Sequence, residues 1–369
     1  MRPAAALLLI ALAACSNSDP AASAPSPAPS PAPDGRKDAE SGPPARLDVY
    51  RYSGPHARGN LAVYLLIEKG AATGDLGCLT LEDALKSGAV KVSEKAEGAE
   101  VNELQIENSG DRPIYLQAGD TVKGGQQDRT IAVDTILPPK SGKRTIDAFC
   151  VEPGRWSSRD SQGVSSGATF ALSEESAPVA TKEQKLAVRL SKSQDDVWEA
   201  GKKVNQDLVN RANASPQQGG GASLAFVEPK NSYVEAVEDP GVAKKVNETV
   251  AALSKIVDGH PDAVGAAFCV NGKVQNIEIY AASGLFRKLW PKLLRAAAVE
   301  AFSKSKEGEA AKPPAEAELK ATLAGLEGQK GRAELRQEGP VVRIYECERA
   351  VLFDTENGGK LLHRQLLTK

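Results

Sequence analysis

The chain has 369 residues, 41% hydrophobic and 25% charged, a globular composition and not that of a fully disordered chain. Its 46 Lys and Arg stand against 48 Asp and Glu, a formal net charge of −2, so it lacks the basic excess of a dedicated nucleic-acid binder. No apolar run approaches the ~20 residues that cross a bilayer as a helix.

Met1-Arg2 supplies a positive end, and Ala4 to Ala14 is an unbroken apolar run, too short to span and suited to the h-region of a secretory signal. The run stops at Leu12-Ala13-Ala14-Cys15, which resembles the lipobox of bacterial lipoproteins. The resemblance implies cleavage of a signal peptide over 1–14, a diacylglycerol on the Cys15 thiol and an acylated new amine, palmitate being a typical chain. Ser16 in place of Asp after the cysteine then implies the outer membrane, facing the periplasm. Loss of Arg2 leaves 45 − 48 = −3 on the mature chain. Residues 16–46 hold eight prolines and no Val, Ile, Leu or aromatic residue, so 15–46 reads as a lipidated Cys and a disordered Pro/Ala/Ser linker.

From Leu47 the pattern becomes that of a folded body. Short strands are expected at 61–68, 90–93, 101–107, 113–118, 130–137 and 145–151, separated by Gly, Pro and Asn turns. Thr80 marks a helix start. A polar stretch after Trp156 leads to a helix over 182–210, breaking near Ser191–Ser193. Residues 215–223 read as a loop. Asp239 and Pro240 open a further helix that Gly259 ends. Asn271-Gly272 between two apolar runs predicts a type I′ hairpin. Pro291 is expected in the first turn of a helix over 291–305, with Leu285 to Trp290 as an apolar lead-in, and 314–326 reads as an exposed helix. Strands at 340–346, 349–353 and 360–367 close the chain. The fold class is α+β: β-rich over 47–156, mixed over 182–369 with helices packed on a hairpin and terminal strands, in one compact module.

The densest polar constellation runs from Leu116 to Arg129 and resumes at Phe149–Trp156. Asp120, Asp128 and Glu152 are candidate acids or metal ligands, Arg129 and Arg155 candidate anion clamps, Gln127 a polar contact and Trp156 a stacking surface. The alternative is that these charges pair with one another and pin strand ends. The convergence of Arg129, Glu152 and Arg155 is expected from a reversal at Pro138-Pro139/Ser141-Gly142. Neither a Walker motif nor a dinucleotide fingerprint is present, so the sequence names no cofactor, and the lack of any CxxC argues against a structural zinc site. Besides Cys15 there are four cysteines; an even number in an oxidising compartment invites disulfides, while the Phe-Cys-Val settings of Cys150 and Cys269 suit buried thiols. His56, His260 and His363 lie far from Cys150 in sequence, His260 reading as a helix-end capping cation and His363 as a structural residue.

Gly119, Gly124, Gly125, Gln127 and Arg129, followed by Cys150-Val151-Glu152-x-Gly154-Arg155-Trp156, resemble the core of the ARG and Rhodanese-Phosphatase-superfamily-associated Protein domain family, of unknown function. The chain departs from that pattern at Asp120 for Glu, Gln126 for Lys and Asp128 for Asn. Gln194-x-x-Val197-Trp198 and the span from Val264 to Leu293 are similar to later parts of the family, which implies one domain over nearly all of 47–369. Two function classes follow. One is a non-catalytic envelope lipoprotein, held to the membrane by its lipid, whose domain binds a small anionic ligand or an envelope protein and no nucleic acid. The other is a hydrolase on an anionic or phosphorylated substrate, ADP-ribose-like chemistry included, with Arg129 and Arg155 as clamps.

Overall fold

The computed structural model describes residues 37–42, 44, 49–68, 74–95, 102–125, 127–154, 170–171, 179–214, 232–306, 312–335 and 339–369. The expected signal peptide, Cys15, the loop over 215–223, Arg155 and Trp156 lie outside them.

The first half is built of β1 (Lys37–Ser41), β2 (Tyr50–Arg58), β3 (Leu61–Glu68), β4 (Leu79–Thr80), α1 (Leu81–Lys86), β5 (Val90–Ser93), β6 (Glu103–Asn108), β7 (Ile114–Leu116), β8 (Thr121–Gly124), β9 (Arg129–Ile131), β10 (Thr135–Leu137), β11 (Gly142–Cys150) and β12 (Phe170–Ala171). Then come α2 (Lys182–Leu186), a π-helical turn (Ala187–Ser191), α3 (Gln194–Ala214), α4 (Tyr233–Glu238), α5 (Pro240–Leu253) and a 3-10 turn (Ser254–Val257). Next are β13 (Ala263–Val270), β14 (Lys273–Tyr280), α6 (Ser283–Ser303), α7 (Glu316–Ala324), β15 (Gly331–Leu335), β16 (Val341–Glu346), β17 (Ala350–Asn357) and β18 (Lys360–Thr368).

Local chemistry accounts for several boundaries. The Thr80 hydroxyl accepts from Asp83 N and starts α1; Asp239 accepts from Gly241 N ahead of Pro240 and starts α5. Asn271 and Gly272 both carry positive φ, 52° and 74°, as a type I′ turn between β13 and β14 requires.

A nine-stranded sheet runs β1-β15-β16-β17-β18-β14-β13-β3-β2, a three-stranded one β10-β7-β4, and a six-stranded one β12-β8-β9-β11-β6-β5. β3 reads as a continuous apolar run because both its faces are covered. Leu61, Val63, Leu65 and Ile67 pack with α6, while Ala62, Tyr64 and Leu66 join a second cluster that includes Leu319 and Leu323 of α7. A third cluster unites the two smaller sheets through Leu104, Ile106, Ile114, Leu116, Ile131 and Ile146. Strands from both halves of the chain share the large sheet, so the α+β body is one module, within the compact unit Pro31–Lys369.

The structure corrects several expectations. Within the span expected as linker, Lys37–Ser41 forms a strand that pairs antiparallel with β15. Main-chain bonds to an open edge hold this strand, so it needs no apolar side chains. Pro291 sits inside one continuous helix, α6, not at its start. Leu285, Phe286, Leu289, Trp290, Leu293 and Leu294 share one buried cluster, and this burial outweighs the bond that the proline cannot donate to the Arg287 carbonyl. The run 130–137 is two strands in two sheets, because Asp134 turns into the core between them. α7 is half-embedded through Leu319 and Leu323. His260 bonds Ser53 of β2 at 2.9 Å and so ties an edge strand to the helix end. Cys78, Cys150, Cys269 and Cys347 are free thiols.

Candidate functional site

The motif folds around the β8–β9 reversal. Gly119 has φ +98°, and a Cβ there would lie 3.0 Å from Lys185 Cε, so backbone and packing both call for glycine. The Asp120 carbonyl accepts from Ile131 N at 2.8 Å, while its carboxylate accepts from Gln117 N at 3.0 Å and from the buried Lys292 ammonium of α6. Asp128 accepts from Gly124 N at 3.0 Å and from Ser232 Oγ at 2.6 Å, which fastens the start of α4 to the loop.

Arg129 pairs across the strands with Cys150. Its guanidinium reaches both carboxylate oxygens of Glu94 at 3.2 Å and touches the Cys150 sulfur. Glu152 accepts from Asp128 N at 3.4 Å. The expected reversal therefore does bring Glu152 beside the Asp128–Arg129 segment. One guanidinium nitrogen of Arg129 thus holds both oxygens of Glu94, a counter-ion that the sequence reading passed over.

Asp120, Gln127, Asp128 and Arg129 are all 0% exposed. Arg129 is therefore not placed as an open anion clamp. Burial pushes the Cys150 thiol up to about 12 despite the opposing Arg129 cation, so it stays protonated and weakly nucleophilic. Gln127 differs from its neighbours: neither its amide nitrogen nor its amide oxygen has a hydrogen-bond partner. Close by, Val151 N donates to Asp128 O at 2.9 Å. The nitrogen of Gln184, also unpartnered, lies beside Gly201, as does the Val151 carbonyl.

A second polar cluster fills the space between the sheets. The Asp134 carboxylate accepts from Tyr115 Oη at 3.0 Å, Ala118 N at 3.0 Å, Thr355 Oγ1 at 2.8 Å and Arg189 at 3.3 Å. His363 bridges Asp134, 2.9 Å from Nδ1, and Glu278, 2.7 Å from Nε2. Glu278 also accepts from Lys185 at 2.7 Å and Gln365 at 2.9 Å. The Tyr280 ring stacks on His363 with centroids 4.5 Å apart. Both imidazole nitrogens face carboxylates, so both donate and the ring is an imidazolium.

Burial opposes that charge, but Asp134 and Glu278 outweigh it and hold His363 above its ordinary value. Burial would likewise raise Asp134, yet His363 and Arg189 pull it down; against the same burial, Lys185 and His363 bring Glu278 to about 2. The Tyr115 and Tyr280 phenols, buried beside these carboxylates, are pushed well up.

The sequence carried a signal for this cluster that was not used. Asp134 stands in Ile131-Ala-Val-Asp-Thr-Ile-Leu137, Glu278 between Ile277 and Ile279, and His363-Arg364-Gln365 between leucine pairs. Charged residues in the middle of apolar strands must be paired inside or face water. Among the described residues, no group of three His, Cys, Asp or Glu is placed to hold a metal ion. No described helix is long and apolar enough to cross a membrane.

No curated protein and no solved structure matches the chain. Residues 49–366 match the family model described as the ARG and Rhodanese-Phosphatase-superfamily-associated Protein domain. That span takes in the motif loop, both polar clusters and, apart from β1 and the end of β18, all three sheets, and the chain belongs to this family.

Proposed function

We propose that this chain is a lipid-anchored protein of the bacterial cell envelope whose family domain binds a small polar ligand at Gln127 without turning it over. The Leu12-Ala13-Ala14-Cys15 lipobox supports the anchor. The Gln127 amide carries the binding reading: it is fully enclosed, with donor and acceptor both unused. Leaving a buried polar group unsatisfied costs about 1–3 kcal/mol, and native structures usually meet such a group with a protein partner, an ordered water or a bound ligand.

The surroundings point to the ligand's charge. Asp128 and Glu152 stand next to Gln127, and the nearby Arg129 is paired with Glu94. This environment favours a neutral ligand with an amide-like donor and acceptor edge over the anion that the sequence suggested. The hydrolase reading would need Arg129 free to clamp a substrate, and that side chain is already paired with Glu94.

Two measurements test the proposal. In a bacterial host fed labelled palmitate, the wild type should incorporate label and Cys15→Ser should not; an unlabelled wild type would refute the anchor. In thermal shift, a panel of nucleosides, primary amides and sugars should contain a compound that raises the wild-type Tm and leaves Gln127→Leu unmoved. Unliganded Gln127→Leu should melt at or above the wild type, since it removes an unpaired amide. A lower Tm for that variant, with no compound acting on the wild type, would refute the site.

A further inference from the structure

Among the described residues, β2 is the last strand at its end of the large sheet. Its register carries a bulge: Ser53 pairs with Leu65 and His56 with Val63, so Gly54 and Pro55 together stand opposite Tyr64. Residues directly opposite in an antiparallel pair share a face. Val63, Leu65 and Ile67 face α6, so Arg51, Ser53 and His56 form a row on that same face at the sheet's edge. Without the extra residue, His56 would stand opposite Ala62 and point to the other face.

The segment after the 3-10 turn lies against this row. Arg51 reaches Asp262 at 3.8 Å, and Ser53 Oγ meets His260 Nε2 at 2.9 Å. His56 is the next residue of the row, ~7 Å along the strand from Ser53, which brings its ring beside that of His260. Both histidines are half-buried. His56 Nε2 is enclosed and has no hydrogen-bond partner. With Nε2–H donating to Ser53, His260 keeps the lone pair of Nδ1, which has no hydrogen bond of its own among the described residues. Burial, and then the charge of His260, lowers the His56 pKa, so its ring stays neutral and its lone pair available.

We propose that His56 and His260 together hold one divalent transition-metal ion, Zn²⁺ or Cu²⁺, with water in the remaining positions. Imidazole suits these ions, whereas Mg²⁺ and Ca²⁺ take oxygen ligands. Two protein ligands make an exchangeable site and not a closed structural one. Ser53 is a positioning residue, since its hydroxyl fixes the tautomer and the plane of the His260 ring. The site shares no residue with the Gln127 site and does not depend on it.

The test uses the full chain in detergent, stripped with EDTA and dialysed. Calorimetry with zinc chloride should show one saturable site per chain, and zinc should raise the wild-type Tm in a way that EDTA reverses. His56→Gln, His260→Gln and Ser53→Ala should each weaken binding by about tenfold or more. With Cu²⁺, electron paramagnetic resonance should show two coordinated nitrogens in the wild type and in Ser53→Ala, but one in His56→Gln, which separates the ligands from the residue that positions them. Gln127→Leu should bind zinc as the wild type does, so failure here is separable from failure of the ligand site. Lack of binding at millimolar zinc, or wild-type affinity in either histidine variant, would overturn the proposal.

Discussion

Each ring nitrogen of His363 holds a different carboxylate, so the proton on this one side chain joins Asp134 of the first half of the chain to Glu278 of the second. Lys185, Arg189, Tyr115 and Tyr280 complete its surroundings. Because the folded pKa of His363 is raised, its contribution is fully present below the unfolded value of about 6.5 and is lost as pH rises through the raised one. Asp134 and Glu278 are lowered, so theirs is present above about 4 and is lost as pH falls, for Glu278 through about 2. Urea unfolding should therefore show stability declining above about pH 6.5 in the wild type, with that decline absent in His363→Asn. A wild type whose stability is unchanged on the alkaline side would contradict an imidazolium link. The Arg129 pairing gives a second residue-level prediction. Glu94→Ala removes a carboxylate partner from a buried guanidinium and should cost about 3–5 kcal/mol. Glu152→Ala removes one acceptor from Asp128 N and should cost about 1–3 kcal/mol. The reverse ranking in urea melts would mean that Arg129 leans on Glu152 instead.

Among the elements, those with a private chemical mark could be read in advance. The Asn271-Gly272 hairpin, the Thr80 and Asp239 caps, and the break in the helical run before Gln194 each rest on side chains that act locally. β1, β2 and β15 could not be read that way. Lys37-Asp-Ala-Glu-Ser41 has no strand periodicity; it is a strand because β15 presents an edge, and only the assembled sheet creates that edge. The continuity of α6 through Pro291 likewise comes from the cluster it covers, not from its own propensity. Both cases are measurable. A chain lacking residues 1–42 should be less stable than one lacking 1–36 by more than the ~0.5 kcal/mol of ordinary surface changes, because β15 loses its partner. Equal urea midpoints would show that β1 adds nothing. Pro291→Ala should stabilise the chain, since it restores a donor to the Arg287 carbonyl; the gain is bounded by the ~3 kcal/mol cost of an internal proline. A lower midpoint would mean that packing around the pyrrolidine ring decides.

At the scale of the molecule, the order of strands in the large sheet explains why the site was only partly legible. The motif residues Gly119 to Arg129 were recognisable as a unit, but the groups that complete them come from afar: Glu94 from before the motif, Ser232 from the start of α4 and Lys292 from α6; the second cluster draws in Lys185, Arg189 and His363 in the same way. Spacing along a sequence carries no record of such meetings. The same topology leaves the Gln127 amide as an enclosed and unpaired polar group, on a chain whose Leu12-Ala13-Ala14-Cys15 resembles a lipobox. Native mass spectrometry of the full chain purified from a bacterial host tests both parts of this account in one spectrum. The account predicts a mature chain beginning at Cys15 with acyl mass, carrying a small non-covalent adduct that Gln127→Leu loses. An uncleaved or unacylated chain, or a wild type and a Gln127→Leu variant with identical adduct-free spectra, would contradict it.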